Sequence, residues 1–243
     1  MIPKVIHYCW FGNESMSALS RRCLDSWRIH LPGYEFRLWN ETTFDIHTNK
    51  YVNEAYLSRK YAFVSDYIRL HVLYQYGGIY LDTDVELLKP LDELLLLPGF
   101  IGYESETELA TSIIGSTPNN NWILEQLNSY KGRHFILGKD GYDLTTNVQI
   151  VSRNTELQGF KLENSHQIYK ECMNIFPNDY FSPKSRTGII TITANTYCIH
   201  HFEGSWQNPT DKFKKFIFRK IVGPRLTDLL VNLKRRLINS HRP

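Results

Sequence analysis

Cysteine is scarce and unpatterned in this 243-residue chain. Cys9, Cys23, Cys172 and Cys198 form no C-x-x-C pair and match no zinc or disulfide spacing, so reduced, mostly buried thiols are expected. Long apolar runs are missing too. The most apolar stretch, residues 94–101, is too short to span a bilayer and is interrupted by Pro98 and Gly99. The opening MIPKVIHYCWFG lacks the apolar core and cleavage site of a signal peptide, so a cytoplasmic location is expected. There is no internal repeat, no low-complexity block, and no RNP, zinc or helix-turn-helix pattern, so nucleic acid is not an expected partner.

What is present is an ordinary globular content, 42% hydrophobic, with 14% aromatic residues that suit sugar and base contacts as well as cores. Charge is segregated. Residues 211–243 carry ten Lys/Arg against Asp211 and Asp228, a net +8, which leaves residues 1–210 at −5 within a total of +3. The chain therefore divides into a main domain, 1–210, and a basic tail, 211–243. The tail reads as two amphipathic helices, 212–222 and 225–239, split by Gly223-Pro224. Its Phe and Leu stripes can pack on the domain. With their Lys and Arg neighbours they also suit an anionic membrane surface, which gives the protein a peripheral seat on the inner face of the membrane.

The main domain alternates strand and helix signals, the α/β pattern. Strands are expected at 4–11, 34–39, 79–81, 85–88, 100–103, 112–115, 191–194 and 197–202. Helices are expected at 17–30, 58–76, 90–97, 121–130 and 146–154, with a surface loop at 132–143. Gly77-Gly78 stops the long helix and leads into Ile79-Tyr80-Leu81 and then Asp82-Thr83-Asp84.

Paired acids leaving the carboxyl end of an α/β strand lie where such sheets bind ligands, and their hard oxygens suit Mg²⁺ or Mn²⁺. Alone, D-x-D is a weak signal; a solvated turn explains it as well, and exposed turn acids would add little stability. Upstream, Asp66 and Arg69 share a helix face, and their plain reading is an intrahelical ion pair. His7 reads as a satisfied core histidine. Thr111 and Ser112 read as ordinary strand residues, although both have hydroxyls to offer a sugar.

The run SDYIRLHVLYQYGGIYLDTD (65–84), the opening PKVIHYCWFG and the closing Ile199-His200-His201-Phe202-Glu203-Gly204-Ser205-Trp206 together resemble the DXD-containing sugar transferases. These include bacterial capsule and lipopolysaccharide transferases, yeast-type α-mannosyltransferases and, more distantly, the glucosylating domains of clostridial toxins. The resemblance implies a GT-A fold, a nucleotide-binding sheet flanked by helices. It also implies a nucleotide-sugar donor, a divalent cation and retention of configuration. It assigns Trp10 to the nucleobase and Asp66 and Arg69 to the donor ribose and sugar hydroxyls. Tyr80 falls at a donor contact, Asp82 and Asp84 at the metal and diphosphate, and Ser205 and Trp206 at the diphosphate. His201, in H-F-x-G, resembles a late metal-ligand histidine and stands ahead of His200 as third ligand. The mid-chain Gly-Pro of the mannosyltransferases is replaced by Thr146-Asn147-Val148, which favours a UDP-hexose over GDP-mannose. The expected acceptor is a surface glycan or lipid-linked oligosaccharide. Two other functions fit part of the pattern. Leu81-Asp82-Thr83-Asp84-Val85 also satisfies the nucleophile motif of haloacid-dehalogenase-type phosphotransferases, with Asp82 as nucleophile, though Asp140 and Asp143 make a poor second acidic pair. The many aromatics also allow a non-catalytic carbohydrate-binding module.

Overall fold

The computed structural model describes residues 1–185 and 188–204. The basic tail, with Ser205 and Trp206, lies outside the described residues.

The chain opens with strand β1 (Val5–Cys9), helix α1 (Ala18–His30) and β2 (Glu35–Trp39). The Ser17 side chain caps α1 by accepting the Ser20 N–H. The helix expected over 58–76 is shorter: α3 is Tyr61–Tyr76, and a separate α2 (Lys50–Leu57) ends just before it. Arg59, in the left-handed region at φ 55°, breaks the two apart, and Asn49 caps α2 through the Val52 N–H. Gly77 and Gly78, at φ 64° and 102°, turn the chain out of α3 into β3 (Gly78–Leu81). A Cβ at Gly78 would stand 2.7 Å from the Val5 carbonyl oxygen, so close packing against β1 as well as the turn demands glycine.

Next come β4 (Val85–Leu87), a 3₁₀ turn at Asp92–Leu96, β5 (Gly99–Ser105), β6 (Glu108–Ser116), α4 (Asn121–Asn128) and α5 (Asn147–Leu157). Then follow β7 (Gln167–Tyr169), β8 (Met173–Phe176), the short α6 (Asn178–Phe181) and β9 (Cys198–His200). Seven strands form one mixed sheet in the order β2-β1-β3-β6-β5-β8-β7, and β4 pairs with β9 in a second, two-stranded ribbon. The expected strand at 191–194 is not one. Ile192 is exposed, and the Thr193 hydroxyl donates to Asp179 while accepting the Asn195 N–H, so local side-chain bonds hold a turn there.

One apolar cluster, with Val64, Ile68, Tyr80, Ile114 and Phe135, fills the α3 side of the sheet. A second, with Ile6, Trp27, Ile79, Leu81 and Ile113, fills the α1 side. The alternation Ile79/Tyr80/Leu81 between the two clusters is the period-2 pattern of a strand buried on both faces. All four cysteines are free thiols, and three of them are buried. No described helix is long and apolar enough to cross a membrane.

Candidate active site

β1 and β3 run parallel, in register at Ile6–Ile79 and His7–Tyr80, so Trp10 and the Asp82-Thr83-Asp84 turn leave the same, carboxyl end of the sheet. β1 also lies between β2 and β3, the point where the strand order reverses and open α/β sheets place their ligand crevice. The partly exposed Trp10 ring is oriented by its own Nε1–H, which donates to the Glu14 carbonyl oxygen at 2.8 Å. His7 is buried below. It accepts from Trp39 Nε1 at Nδ1 (3.1 Å), which leaves its Nε2–H for the Gly77 carbonyl oxygen (2.8 Å). Burial lowers its pKa to about 4, so it is the neutral core histidine that was expected.

On the α3 side, Asp66, Arg69, Tyr80 and Asp82 form one buried network. Arg69 Nη2 reaches Asp66 Oδ1 at 3.0 Å and Asp82 Oδ1 at 3.3 Å. Its Nη1 donates to the carbonyl (2.7 Å) and hydroxyl (2.9 Å) oxygens of Thr111, and its guanidinium lies 4.8 Å from the Tyr80 ring centroid. The surface-type ion pair expected between Asp66 and Arg69 is therefore an enclosed clamp that also reaches across to the turn. The Tyr80 ring is wholly buried, and what this residue offers the site is its hydroxyl, which donates to Asp82 Oδ1 at 2.8 Å. Burial raises the Asp66 carboxyl to about 6, with Arg69 opposing. It raises Asp82 also, again against Arg69.

On the other side of the turn, Val85 pairs with His200. The His201 N–H donates to the Asp84 carbonyl oxygen (3.0 Å), and the Glu203 N–H to Asp84 Oδ2 (2.8 Å). His200 Nε2 stands 3.5 Å from Asp84 Oδ1. Burial alone would raise the Asp84 carboxyl, but His200 and the Glu203 N–H hold it down at about 2. The acids of the turn are not the exposed pair expected: the side chains of Asp82, Asp84 and His200 are 25%, 14% and 13% accessible.

The third member of the cluster is His200, not His201. Neighbours on a strand point to opposite faces, and His201 Nε2 turns away to Glu86 at 2.7 Å. One ligand atom each from Asp82, Asp84 and His200 lies within 4.8 Å of the others. The His200 Nδ1 is buried with no hydrogen-bond partner. Two carboxylates and an imidazole form a donor set that fits Mn²⁺, whereas Mg²⁺ would draw on the two carboxylates alone. Thr111, which locks Arg69, and the Glu203 amide, which orients Asp84, carried no distinguishing local signal. The phosphotransferase reading fares poorly, because Asp82 Oδ1 is engaged by Tyr80 and Arg69 while Asp143 pairs with Arg133 at 2.8 Å.

Residues 17–98 match the model of a family described as the glycosyltransferase sugar-binding region containing the DXD motif. Inositol phosphoceramide mannosyltransferase 3 of Schizosaccharomyces pombe is 30% identical over 135 residues, 51% of this chain and 36% of that protein. Subversion of eukaryotic traffic protein A of Legionella pneumophila is 25% identical over 231 residues, 82% of this chain and 34% of that one. The chain thus spans about a third of the length of these relatives. Among solved structures, the PaToxG glycosyltransferase aligns with a TM-score of 0.48 at 22% identity, covering 65% of this chain and 69% of its own.

Proposed function

We propose that this chain, whose residues 17–98 match the DXD-containing glycosyltransferase family, transfers a hexose from a nucleotide-sugar donor, a UDP-hexose in first place, to a surface-glycan or lipid-linked acceptor. The observation that carries this reading is the convergence of Asp82, Asp84 and His200 beside the Arg69 clamp, at the carboxyl end of the sheet.

Asp82, Asp84 and His200 would hold a divalent cation, whose chemistry is to neutralise the negative charge that builds on a departing diphosphate. The protein's own work is positional. Arg69 opposes the burial that raises the Asp82 carboxyl, and the Glu203 amide fixes the Asp84 carboxylate. The partly exposed Trp10 ring, held at the crevice edge, offers a face to the base. Asp66, next to Arg69, offers carboxylate oxygen to sugar hydroxyls. With no protein nucleophile identified at the turn, retention by same-face attack of the acceptor hydroxyl is the route proposed.

The test is a panel of nucleotide sugars that includes UDP-hexoses and GDP-mannose, incubated with the protein and Mn²⁺ and scored by nucleoside diphosphate release. Release from one donor, lost in chelator and in the Asp82→Ala and Asp84→Ala variants, is expected. Full activity of both variants in chelator would sink the metal-dependent reading.

A further inference from the structure

Between α4 and α5 the chain builds a hairpin that the site does not use. Ile136 and Tyr142 form a β-bridge, the Leu137 N–H donates to the Gly141 carbonyl oxygen, and the Asp143 N–H donates to that of Phe135, each at 2.8 Å. Its base is fixed. Phe135 is fully buried against Tyr51 and Phe63. Arg133 pairs with Asp143, and Glu54 on α2 accepts the N–H groups of Phe135 (2.8 Å) and Ile136 (3.0 Å).

Above that base the side chains turn outward. Ile136, Leu137, Tyr142 and Leu144 are 41%, 46%, 44% and 58% exposed within nine residues. A Cβ added at Gly138 or Gly141 would meet nothing within 4 Å, so the tip stands in open space. Scattered surface apolars need no explanation, but four together on a rigid, projecting base do. Cations flank them. Lys60 Nζ lies 6.0 Å from the Tyr142 ring centroid, and Arg59, Lys131 and Lys139 are exposed. Asp143, one of the two acids in residues 132–145, is neutralised by Arg133.

We infer that this hairpin is an interfacial wedge that seats the protein on an anionic lipid surface. A convex apolar tip offers no groove for a peptide. It matches a bilayer boundary, where Leu, Ile and Tyr reach the acyl region while Lys and Arg stay among anionic headgroups. The wedge also adjoins the crevice. Asn147, at the start of α5, donates from Nδ2 to the Asp66 carbonyl oxygen at 3.2 Å, and Arg133 lies 5.1 Å from the ring centroid of Tyr130, which packs on Tyr67 of α3. Presentation of a membrane-bound acceptor to Asp82 and Asp84 rests on the glycosyl-transfer reading; seating on lipid does not.

The test uses the full chain with Cys172, the half-buried thiol, replaced by serine. An environment-sensitive fluorophore is attached at Leu137→Cys or, as a control on the opposite face of the sheet, at Ile29→Cys. Vesicles of phosphatidylserine and phosphatidylcholine should blue-shift the label at 137, and nitroxide-labelled acyl chains should quench it; the label at 29 should not respond. Phosphatidylcholine alone should give a much weaker response. The double variant Leu137→Gln/Leu144→Gln should partition onto the anionic vesicles about tenfold or more less well. Vesicle binding with an unquenched label at 137 would overturn the wedge, and so would no binding at all. If the double variant unfolds, the label at 137 still decides. Donor turnover in solution should be unchanged in the double variant. An inactive wild type that still inserts residue 137 would sink sugar transfer and leave the wedge standing.

Discussion

Asp82 and Asp84 are separated by one residue, yet they stand in opposite surroundings. Asp82 faces the α3 side, where Arg69 and Tyr80 hold it inside the core and burial raises its pKa. Asp84 faces the β9 side, where His200 and a backbone amide bring its pKa down to about 2. One acid is balanced by a guanidinium that keeps its proton throughout, the other by an imidazole whose pKa Asp84 raises. The first arrangement fixes a geometry. The second leaves an imidazole free to exchange a proton for a metal.

The strongest way to break this contrast is to remove the fixed cation. Arg69→Ala takes the cation from Asp66 and Asp82 and a donor from the Thr111 carbonyl oxygen in a largely buried network, and should cost about 3–5 kcal/mol in urea unfolding. Asp84→Asn keeps an acceptor for the Glu203 N–H and loses only the His200 attraction, so its cost should be no more than about half of that. Equal losses from the two variants would mean that the sides of the turn are energetically alike.

The next effect comes from pH, and its sign separates the buried histidines. His7 has its folded-state pKa lowered to about 4, so the stability its neutral form supports is full above 6.5 and lost as pH falls toward 4, of order 3 kcal/mol in all. Asp66, raised to about 6, runs the other way, losing stability as pH rises from 3.8 to 6. The His7 contribution must therefore be read as the difference between wild type and His7→Gln. That difference should shrink on acidification from pH 7 to 4. His200 is raised, against burial, by Asp84. Its contribution is full below 6.5 and lost as pH rises through its raised value, so the difference between wild type and His200→Gln should shrink from pH 6 toward 9. The same slope in both variants would remove the distinction between a core histidine and one facing a carboxylate.

What the sequence made legible was local. The helix over 17–30, the Gly77-Gly78 stop, the apolar strand at 79–81 and the acid turn after it are all written in adjacent residues, and all are found. The α/β class followed from their alternation. β7, β8 and α6 were not read, because three or four residues carry no usable period and their existence depends on β8 pairing with β5, β7 pairing with β8 and α6 packing on β5. The choice between His200 and His201 was not legible for a related reason. Which of two adjacent residues faces the turn depends on the register of β9 against β4, set across more than a hundred residues. The character of Asp82 was hidden in the same way, since its burial comes from α3 and from Thr111 on β6.

The smallest expected effect is that of His201→Ala, and its smallness is what makes it useful. The imidazole of His201 bonds Glu86, a half-buried acid that also pairs with Arg22 at 3.2 Å, so the lost interaction belongs to a partly solvated network worth about 1 kcal/mol or less. The parts of His201 that hold the site together are in its backbone. Its N–H donates to the Asp84 carbonyl oxygen, and its own carbonyl oxygen accepts from Lys184 Nζ at 2.8 Å. Alanine keeps both. Titration with Mn²⁺ in the presence of a nucleoside diphosphate should therefore give His201→Ala an affinity within about twofold of wild type, while His200→Ala should weaken it by about tenfold or more. If the two variants exchange these results, His201 is the ligand after all, and β9 must sit one residue out of the register seen here when the cation binds. If neither variant changes the affinity, the cation is held by Asp82 and Asp84 alone, and the raised pKa of His200 reflects a structural ion pair.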